Sequence, residues 1–379
     1  MPWPGRNGGS QVTTVGSTAP RVTPRVNPRS LFHPASGLAY LDGATYGLPP
    51  QPTVDALERA LGLWQAGEAD WIEDWDRPSE SCRADFGALI GCSPEAVALI
   101  SAASIGVGLV AAGLGSTDEV VVPVDEFTST LFPVLVAKDR GTAVREVEFD
   151  RLVESIRSST TLVAFSLTQM QTGQTADLGA VCRRAREVGA RVLVDATQSI
   201  PFVPVAPQIR EVDYLVCAAY KHLLSPRGVA FLYVRPDHWM EVEPHYANWR
   251  AADRPFAHYF GGPLTLATNA ARFDVSRAWF PWYGATESLR LIAGWAADGT
   301  ISDVRTLINR LADGLGVPRP AASLVCAPIA DAEAVRGALA AARVKASVRG
   351  TAIRFSPHVW STEEDVDRAI GVVERYRRA

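Results

Sequence analysis

Short apolar runs alternate with amphipathic stretches between about residues 90 and 235. Each run is almost continuously apolar and rich in β-branched residues, which is typical of strands buried on both faces of a sheet. The predicted strands cover residues 96–101, 119–124, 161–167, 191–196, 213–219 and 228–234. Between them, stretches such as DLGAVCRRAREVGA (177–190) place apolar residues at helical spacing. This alternation predicts an α/β fold in which helices cover both faces of a mainly parallel sheet.

The pattern changes after about residue 300. Predicted strands at 323–329, 344–348 and 352–356, a helix at 331–343 and a final helix from Glu363 indicate a small α+β domain. Residues 1–30 are rich in Pro, Arg, Thr, Ser and Gly without any period, so we predict a flexible tail there. The expected organisation is this tail, a large domain at 31–290 whose first segment contributes to the small domain or to a dimer, and a small C-terminal domain at 291–379.

The composition is that of a globular enzyme, with 47% hydrophobic and 21% charged residues and a formal net charge of −4. This charge gives no field that favours nucleic acid or an anionic membrane. No apolar run has the length of a membrane-spanning helix, and the N-terminus has no apolar signal-peptide core. The five cysteines are scattered without a CxxC pair. We therefore expect no metal site, no disulfide framework and a cytoplasmic setting.

Lysine is rare in this chain. Lysine and arginine total 37, but the only lysines are Lys138, Lys221 and Lys345. Arginine remains protonated in proteins, whereas a lysine amine can lose its proton and attack a carbonyl. Because this chain uses arginine for nearly all of its cations, each of the three lysines is a candidate for a chemical role. Lys221 directly follows a predicted strand, so we expect it at the carboxyl edge of the sheet, where ligands bind in such folds.

Polar residues near two strand ends form a candidate site with Lys221. Asp195 lies at the carboxyl end of a predicted buried strand, where its carboxylate either caps the next turn or pairs with a cation such as a protonated pyridine nitrogen. Gln198, three residues further on, either bonds a phenolic oxygen of the same ring or is solvated. Tyr220 either bonds a phosphate through its phenol or packs in the core. The residues alone leave these alternatives open.

The segments LVDATQ (193–198) and YKHLLSPRGVAFLYVRP (220–236) resemble the class V aminotransferases, which are pyridoxal-phosphate (PLP) enzymes of fold type I. This family includes cysteine desulfurases, kynureninases, isopenicillin N epimerase and the carbon–sulfur lyases of ergothioneine synthesis. The resemblance extends from YLDGATYGLPP (40–50) to AIRFSPHVWSTEEDVDRAI (352–370). It implies a large domain with a mainly parallel, seven-stranded sheet. It also implies a PLP Schiff base on Lys221, with Asp195 at the pyridine nitrogen and Gln198 at the phenolic oxygen.

The same resemblance extends to other site residues. ISAASIGVG (100–108) matches the family's phosphate loop, which places Ala103 and Ser104 at the phosphate, and Phe127 matches the side chain that stacks on the cofactor ring. Ser276 matches a stretch that reaches the phosphate from a partner subunit, which implies a homodimer. Arg354 stands where the family holds the substrate α-carboxylate, which a guanidinium binds through two parallel hydrogen bonds.

The resemblance implies an enzyme that acts on an α-amino acid through an external aldimine and an α-carbanion, with Lys221 as the catalytic residue. SPRG (225–228) and IRFSPHV (353–359) are most similar to the ergothioneine-pathway lyases, so we favour β-elimination from a cysteine conjugate. An aminotransferase or epimerase of the same family, and a non-catalytic PLP-binding regulator, stay open. Residues 342–356 contain no cysteine, which argues against a desulfurase, and no GxGxxG motif supports a nicotinamide-dependent dehydrogenase.

Overall fold

The structure is a computed structural model that describes residues 27–257 and 259–377. The strands are β1 (Ala39–Tyr40), β2 (Val97–Ile100), β3 (Glu119–Pro123), β4 (Ala143–Val147), β5 (Leu162–Ser166), β6 (Arg191–Asp195), β7 (Tyr214–Ala218), β8 (Ala230–Val234), β9 (Val325–Pro328), β10 (Val344–Lys345), β11 (Ser347–Arg349) and β12 (Ala352–Phe355). The α-helices are α1 (Gln51–Ala66), α2 (Glu80–Ile90), α3 (Ala103–Ala112), α4 (Thr128–Val136), α5 (Leu152–Ser155), α6 (Leu178–Val188), α7 (Trp279–Ala297), α8 (Thr300–Leu315), α9 (Ala332–Ala341) and α10 (Glu363–Arg377). Residues 1–26 of the predicted tail lie outside the described residues.

Seven strands form the large sheet, in the order β2-β8-β7-β6-β5-β3-β4. The strands from β7 to β4 pair in parallel, whereas β8 pairs antiparallel with both of its neighbours, β2 and β7. β2 therefore runs in the same direction as the five parallel strands, and β8 alone is reversed among these seven. The mainly parallel, seven-stranded sheet expected from the sequence is confirmed.

Both faces of this sheet are buried, because successive residues of a strand point to opposite sides. Val163 and Phe165 of β5 belong to an apolar cluster that includes Val181 of α6. Ala164, between them, belongs to a second cluster that includes Val107 of α3. Helices thus cover both faces, which explains why the strand sequences are continuously apolar rather than alternating.

Two smaller sheets lie in the C-terminal part of the chain. β11, β12 and β9 form an antiparallel sheet, and β1 pairs in parallel with β10. The single strand predicted at 344–348 is therefore two short strands that pair in different sheets. The predicted domain boundary at residue 290 lies within α7, and the division of the chain stays a prediction. Across residues 27–257 and 259–377, no helix is both long and apolar enough to cross a membrane.

Candidate functional site

A cavity, here called the cofactor cavity, lies at the carboxyl edge of the large sheet. Its walls come from the segments that follow β2, β3, β5, β6 and β7, because the carboxyl ends of these parallel strands meet at one edge. Seven of the eight predicted cofactor-binding residues line it: Ala103, Ser104, Phe127, Asp195, Gln198, Tyr220 and Lys221. Ser276 is exposed and lies outside this lining, so its role at a partner subunit's site stays a prediction.

Lys221 is 4% exposed although it carries an ionisable amine. Its Nζ lies 5.2 Å from the centre of the Phe127 ring and 5.7 Å from that of Tyr220. Burial, the largest influence, lowers the pKa of Lys221 from 10.5 to about 8; the Asp195 carboxylate opposes this shift, and the positive charge of Arg354 adds to it. Because the pKa is lowered, about half of the free amine is neutral at pH 8, and the neutral amine is the form that attacks a carbonyl.

Asp195 ends β6 and is also 4% exposed. Its Oδ1 accepts a hydrogen bond from the backbone N–H of Thr197 at 2.8 Å, and its Oδ2 accepts one from the Thr130 hydroxyl at 3.3 Å. The capping alternative therefore accounts for Oδ1 but not for Oδ2. Both donors are neutral, and in the described part of the chain no cation lies within ion-pair distance of Asp195, although Lys221 is close enough for the carboxylate to raise its pKa. The protonated pyridine nitrogen of PLP would supply a direct cationic partner.

Gln198 is held by two buried contacts. Its Nε2 donates to the backbone oxygen of Ala44 at 3.1 Å, and its Oε1 lies 3.0 Å from Nε2 of His222. Complete burial lowers the pKa of His222 well below its usual range, so the ring is neutral and its Nε2–H donates to Oε1. These contacts orient the amide and leave one N–H of Gln198 for a ligand in the cofactor cavity. The sequence did not single out His222.

The start of α3 forms another part of the cofactor cavity wall. α3 begins at Ala103, and its N-cap, Ala102, offers no side-chain hydrogen bond, although its backbone oxygen accepts from the Ile105 N–H at 3.1 Å. In the described part of the chain the backbone N–H groups of Ala103 and Ser104 have no acceptor, and together with the Ser104 hydroxyl they suit a phosphate. Tyr220 faces the same space, and burial raises the pKa of its phenol, which stays protonated and able to donate.

A second cavity, here called the substrate cavity, adjoins the first. The two share Phe127, Met170, Tyr220, Lys221 and Arg227, so Lys221 lies between them. The substrate cavity extends to Thr45, Leu57 and Arg349, which are brought in from α1 and its preceding segment and from β11. Space for a ligand thus continues beyond the lysine on the side away from the Ser104 anion site.

Arg354 lies on β12 next to Thr45, which lines the substrate cavity, and is 3% exposed. Its Nη2 donates to the Thr45 hydroxyl at 2.8 Å and lies 3.7 Å from Asp42 Oδ1. Its Nε and Nη1 are buried without a hydrogen-bond partner. Leaving charged donors unsatisfied inside a protein is costly, and a carboxylate would satisfy one of these two nitrogens together with Nη2, because Nε and Nη1 face opposite sides of the guanidinium. Arg354 itself is not among the residues that line the two cavities, so its role at a substrate carboxylate stays a prediction.

Glu126 is a buried acid that the sequence interpretation passed over in favour of its neighbour, Phe127. Its Oε2 accepts from the backbone N–H of Ser166 and its Oε1 from that of Phe127, each at 2.8 Å. Burial raises the pKa of Glu126, and the nearby Asp195 charge adds to the rise, whereas the hydrogen bonds oppose it. Glu126 thereby connects β5 to the segment that carries Phe127. Neither the residue type of Glu126 nor its place in the sequence indicates this role, because these contacts form only in the folded chain.

The residues gathered in the cofactor cavity fit PLP. A buried amine, a buried carboxylate, an oriented amide and a helix N-terminus would meet its aldehyde, pyridine nitrogen, phenolic oxygen and phosphate respectively. This correspondence rests on three strand ends, those of β2, β6 and β7, that meet in space. It is independent of the resemblance on which the residues were first selected.

Comparison with known proteins places the chain in a family. The aminotransferase class-V family model matches residues 39–319. A probable cysteine desulfurase of Methanothermobacter thermautotrophicus is 30% identical over 219 residues, which are 54% of this chain and 55% of that protein. The isopenicillin N epimerase of Streptomyces clavuligerus is 26% identical over 88% of this chain and 90% of that protein.

A solved structure gives the same result for the fold. A variant of C-DES, a cystine C–S lyase, with glycine covalently linked to its PLP cofactor superposes with a TM-score of 0.81 at 21% identity, over 93% of this chain and all of that one. The chain spans about half the length of the Methanothermobacter relative, but the family model covers most of this chain. The chain therefore belongs to the aminotransferase class-V family of pyridoxal-phosphate enzymes.

Proposed function

We propose that this protein acts on an α-amino acid and catalyses β-elimination at the carbon–sulfur bond of a cysteine conjugate. The observation that carries the amino-acid part is the position of two buried cations at the substrate cavity: Lys221 lines it, and Arg354 contacts Thr45, which lines it. Lys221 offers an amine of lowered pKa, and Arg354 has two nitrogens without a hydrogen-bond partner in the described part of the chain. These groups suit the amino and carboxylate ends of the same substrate.

The cofactor would be held by residues of four segments. Lys221 would carry it as a Schiff base, Asp195 would keep its pyridine nitrogen protonated, Gln198 would donate to its phenolic oxygen, and Ser104 with the start of α3 would bind its phosphate. Phe127 would cover the ring. When bound, PLP supplies an aldehyde for the substrate amine and an electron sink for the bonds at Cα.

Lys221 would also move the proton. With its amine free, Lys221 would be neutral to the extent that its lowered pKa permits, and its Nζ would accept a proton from Cα of the bound amino acid. Its burial beside Phe127 and Tyr220 excludes bulk water from this step. Arg354 would fix the carboxylate, so that the Cα–H bond points to the same amine in every cycle.

Two features support elimination over persulfide formation. β11 and β12 are joined by Gly350 and Thr351 alone, which leaves no room for a mobile loop with a nucleophilic cysteine before Arg354. Cys326 lies opposite Arg354 in the register of β9 and β12, but burial raises the pKa of its thiol to about 11, so it is protonated at neutral pH. The resemblance of SPRG and IRFSPHV to carbon–sulfur lyases favours the same conclusion.

The match to isopenicillin N epimerase over most of the chain favours epimerisation as a second candidate, and transamination is a third. A turnover assay separates them. The protein is given cysteine conjugates, their sulfoxides and ordinary amino acids, with and without pyruvate or 2-oxoglutarate. We expect many turnovers without a keto acid, with release of thiol or sulfenate, a keto acid and ammonia, because elimination regenerates the aldehyde cofactor.

Other outcomes would refute the lyase. Turnover that stops after one equivalent and resumes on adding a keto acid would identify a transaminase, and deuterium uptake with racemisation but no ammonia would identify an epimerase. Bound cofactor without turnover of any amino acid would favour the non-catalytic regulator. We further propose a homodimer, to which Ser276 contributes as predicted, in a cytoplasmic setting.

A further inference from the structure

A third cavity, here called the basic cavity, adjoins the substrate cavity at Thr45 and Arg349, which line both. It lies between β10, β11 and α9. Its charged lining consists of four cations and one carboxylate: Arg336, Arg343, Lys345, Arg349 and Asp42. The lining therefore carries a net charge of about +3, which favours an anionic occupant.

The carboxylate of the basic cavity offsets this charge only in part. Asp42 lies 3.7 Å from the Arg354 guanidinium and accepts from the Thr45 hydroxyl at 2.8 Å. Lys345 and Arg349 are weaker influences on the pKa of Asp42 than burial and these two partners. Arg336, Lys345 and Arg349 form no ion pair with any carboxylate in the described part of the chain. Arg343 donates to the backbone oxygen of Ser36 and likewise lacks an acidic partner there.

Arg349 is the cation placed to join the basic cavity to the reacting centre. It ends β11, next to Gly350, whose positive φ of +53° turns the chain into β12. Its Nε donates to the Ser347 hydroxyl at 3.1 Å, a contact that holds the half-buried side chain without neutralising it. Its charge lowers the pKa values of both Arg354 and Lys221, in each case after the larger effect of burial. An anion beside Arg349 would relieve this repulsion.

We propose that the substrate carries a second anionic group, remote from its α-carboxylate, which binds at Arg349 in the basic cavity. The substrate class is an amino acid whose sulfur substituent ends in a carboxylate or sulfonate. This inference rests on the proposed function, since it uses the same amino-acid site. Arg354 holds the α-carboxylate, and Arg349, with Lys345 further out, holds the remote anion.

The test uses two conjugates that differ in charge but hardly in shape: S-(2-carboxyethyl)-L-cysteine and its neutral amide, S-(2-carbamoylethyl)-L-cysteine. Each is titrated into the full-length holoenzyme, and its Kd is read from the change in cofactor absorbance, which requires binding but not turnover. We expect the carboxylate to bind about 10-fold to 100-fold more tightly than the amide, which is the range for a hydrogen bond to a charged group.

Arg349→Gln should remove this preference by weakening the carboxylate conjugate, while the Kd of the amide conjugate stays within about 2-fold. Arg349→Lys should retain part of the preference, because it keeps the charge but loses the planar fork. Lys345→Gln should lower the preference for the carboxylate conjugate less than Arg349→Gln does. Lys138→Gln, which removes an exposed cation elsewhere, should leave this preference unchanged.

Equal binding of the two conjugates to the wild type would overturn the proposal. So would an equal loss for both in Arg349→Gln, or a change in subunit assembly with that variant, since either outcome would make Arg349 a structural or partner-facing residue. A charge preference that depends on Arg349, without any elimination, would uphold this inference and refute the lyase. Elimination of both conjugates at equal efficiency would instead uphold the lyase and refute this inference.

Discussion

Replacing Arg354 by glutamine tests how the proposed substrate is held. The guanidinium is buried, makes one hydrogen bond to Thr45 and lies near Asp42, and two of its nitrogens, Nε and Nη1, have no hydrogen-bond partner in the described part of the chain. Glutamine keeps a polar side chain but removes the charge and the two-pronged donor. A substrate carboxylate bound there would then be buried without its cation.

The size of the effect follows from this geometry. Removing one partner of a buried, hydrogen-bonded charge pair costs about 2–5 kcal/mol. At about 1.4 kcal/mol per factor of ten, the loss in kcat/KM for an amino acid is roughly 30-fold to 3000-fold. The kcat/KM of Arg354→Lys should lie between those of the wild type and Arg354→Gln, because a lysine keeps the charge but lacks the two-pronged donor of a guanidinium.

The assay compares a cysteine conjugate with the corresponding cysteamine conjugate, which lacks the α-carboxylate. In Arg354→Gln we expect kcat/KM for the cysteamine conjugate to fall far less than kcat/KM for the cysteine conjugate. The absorbance of the bound cofactor should be retained. Arg310→Gln, which removes an exposed guanidinium paired with Asp367, is the matched control and should leave both substrates unaffected. Equal losses for the two substrates, or loss of the cofactor, would refute the assignment of Arg354 to the carboxylate.

Three further predictions concern the cofactor cavity. Asp195→Ala should weaken PLP binding and nearly abolish turnover, whereas Asp195→Glu should retain more activity; near-normal rates for both would remove Asp195 from the mechanism. His222→Leu should shift the cofactor absorbance as Gln198→Ala does, and the double variant should show no further shift if His222 acts through Gln198; additive shifts would contradict this. The rate at which the cofactor-free protein captures PLP should rise with pH through about 8 and then level off, because the pKa of Lys221 is lowered from 10.5 to about 8; a rise that continues towards pH 10 would contradict the lowered pKa.

The strands and the convergence of the site could be predicted from the sequence for one physical reason. Strands buried on both faces are continuously apolar, so their ends are visible, and parallel strands bring their carboxyl ends to one edge. That reasoning correctly placed Asp195 and Lys221 together. The start of α3, where Ser104 follows β2, was expected only from the resemblance of residues 100–108 to the family's phosphate loop.

The supporting contacts could not be predicted, because they join residues that are remote in sequence. Arg354 meets Thr45 across 309 positions, and Gln198 meets Ala44 across 154. His222 is adjacent to Lys221, yet nothing in its type or spacing distinguishes a buried hydrogen-bond donor from a surface histidine. The division of 344–348 into β10 and β11 likewise depends on which strands lie beside each half.

The most direct test of the account is the chemical identity of the cofactor-bearing residue. The purified protein is reduced with borohydride, which fixes a PLP Schiff base to its lysine, and is then digested and analysed by mass spectrometry. The account predicts the cofactor mass on the peptide that contains Lys221, and its absence from the Lys221→Arg variant. The cofactor mass on Lys138 or Lys345 instead, or its retention in Lys221→Arg, would contradict the account.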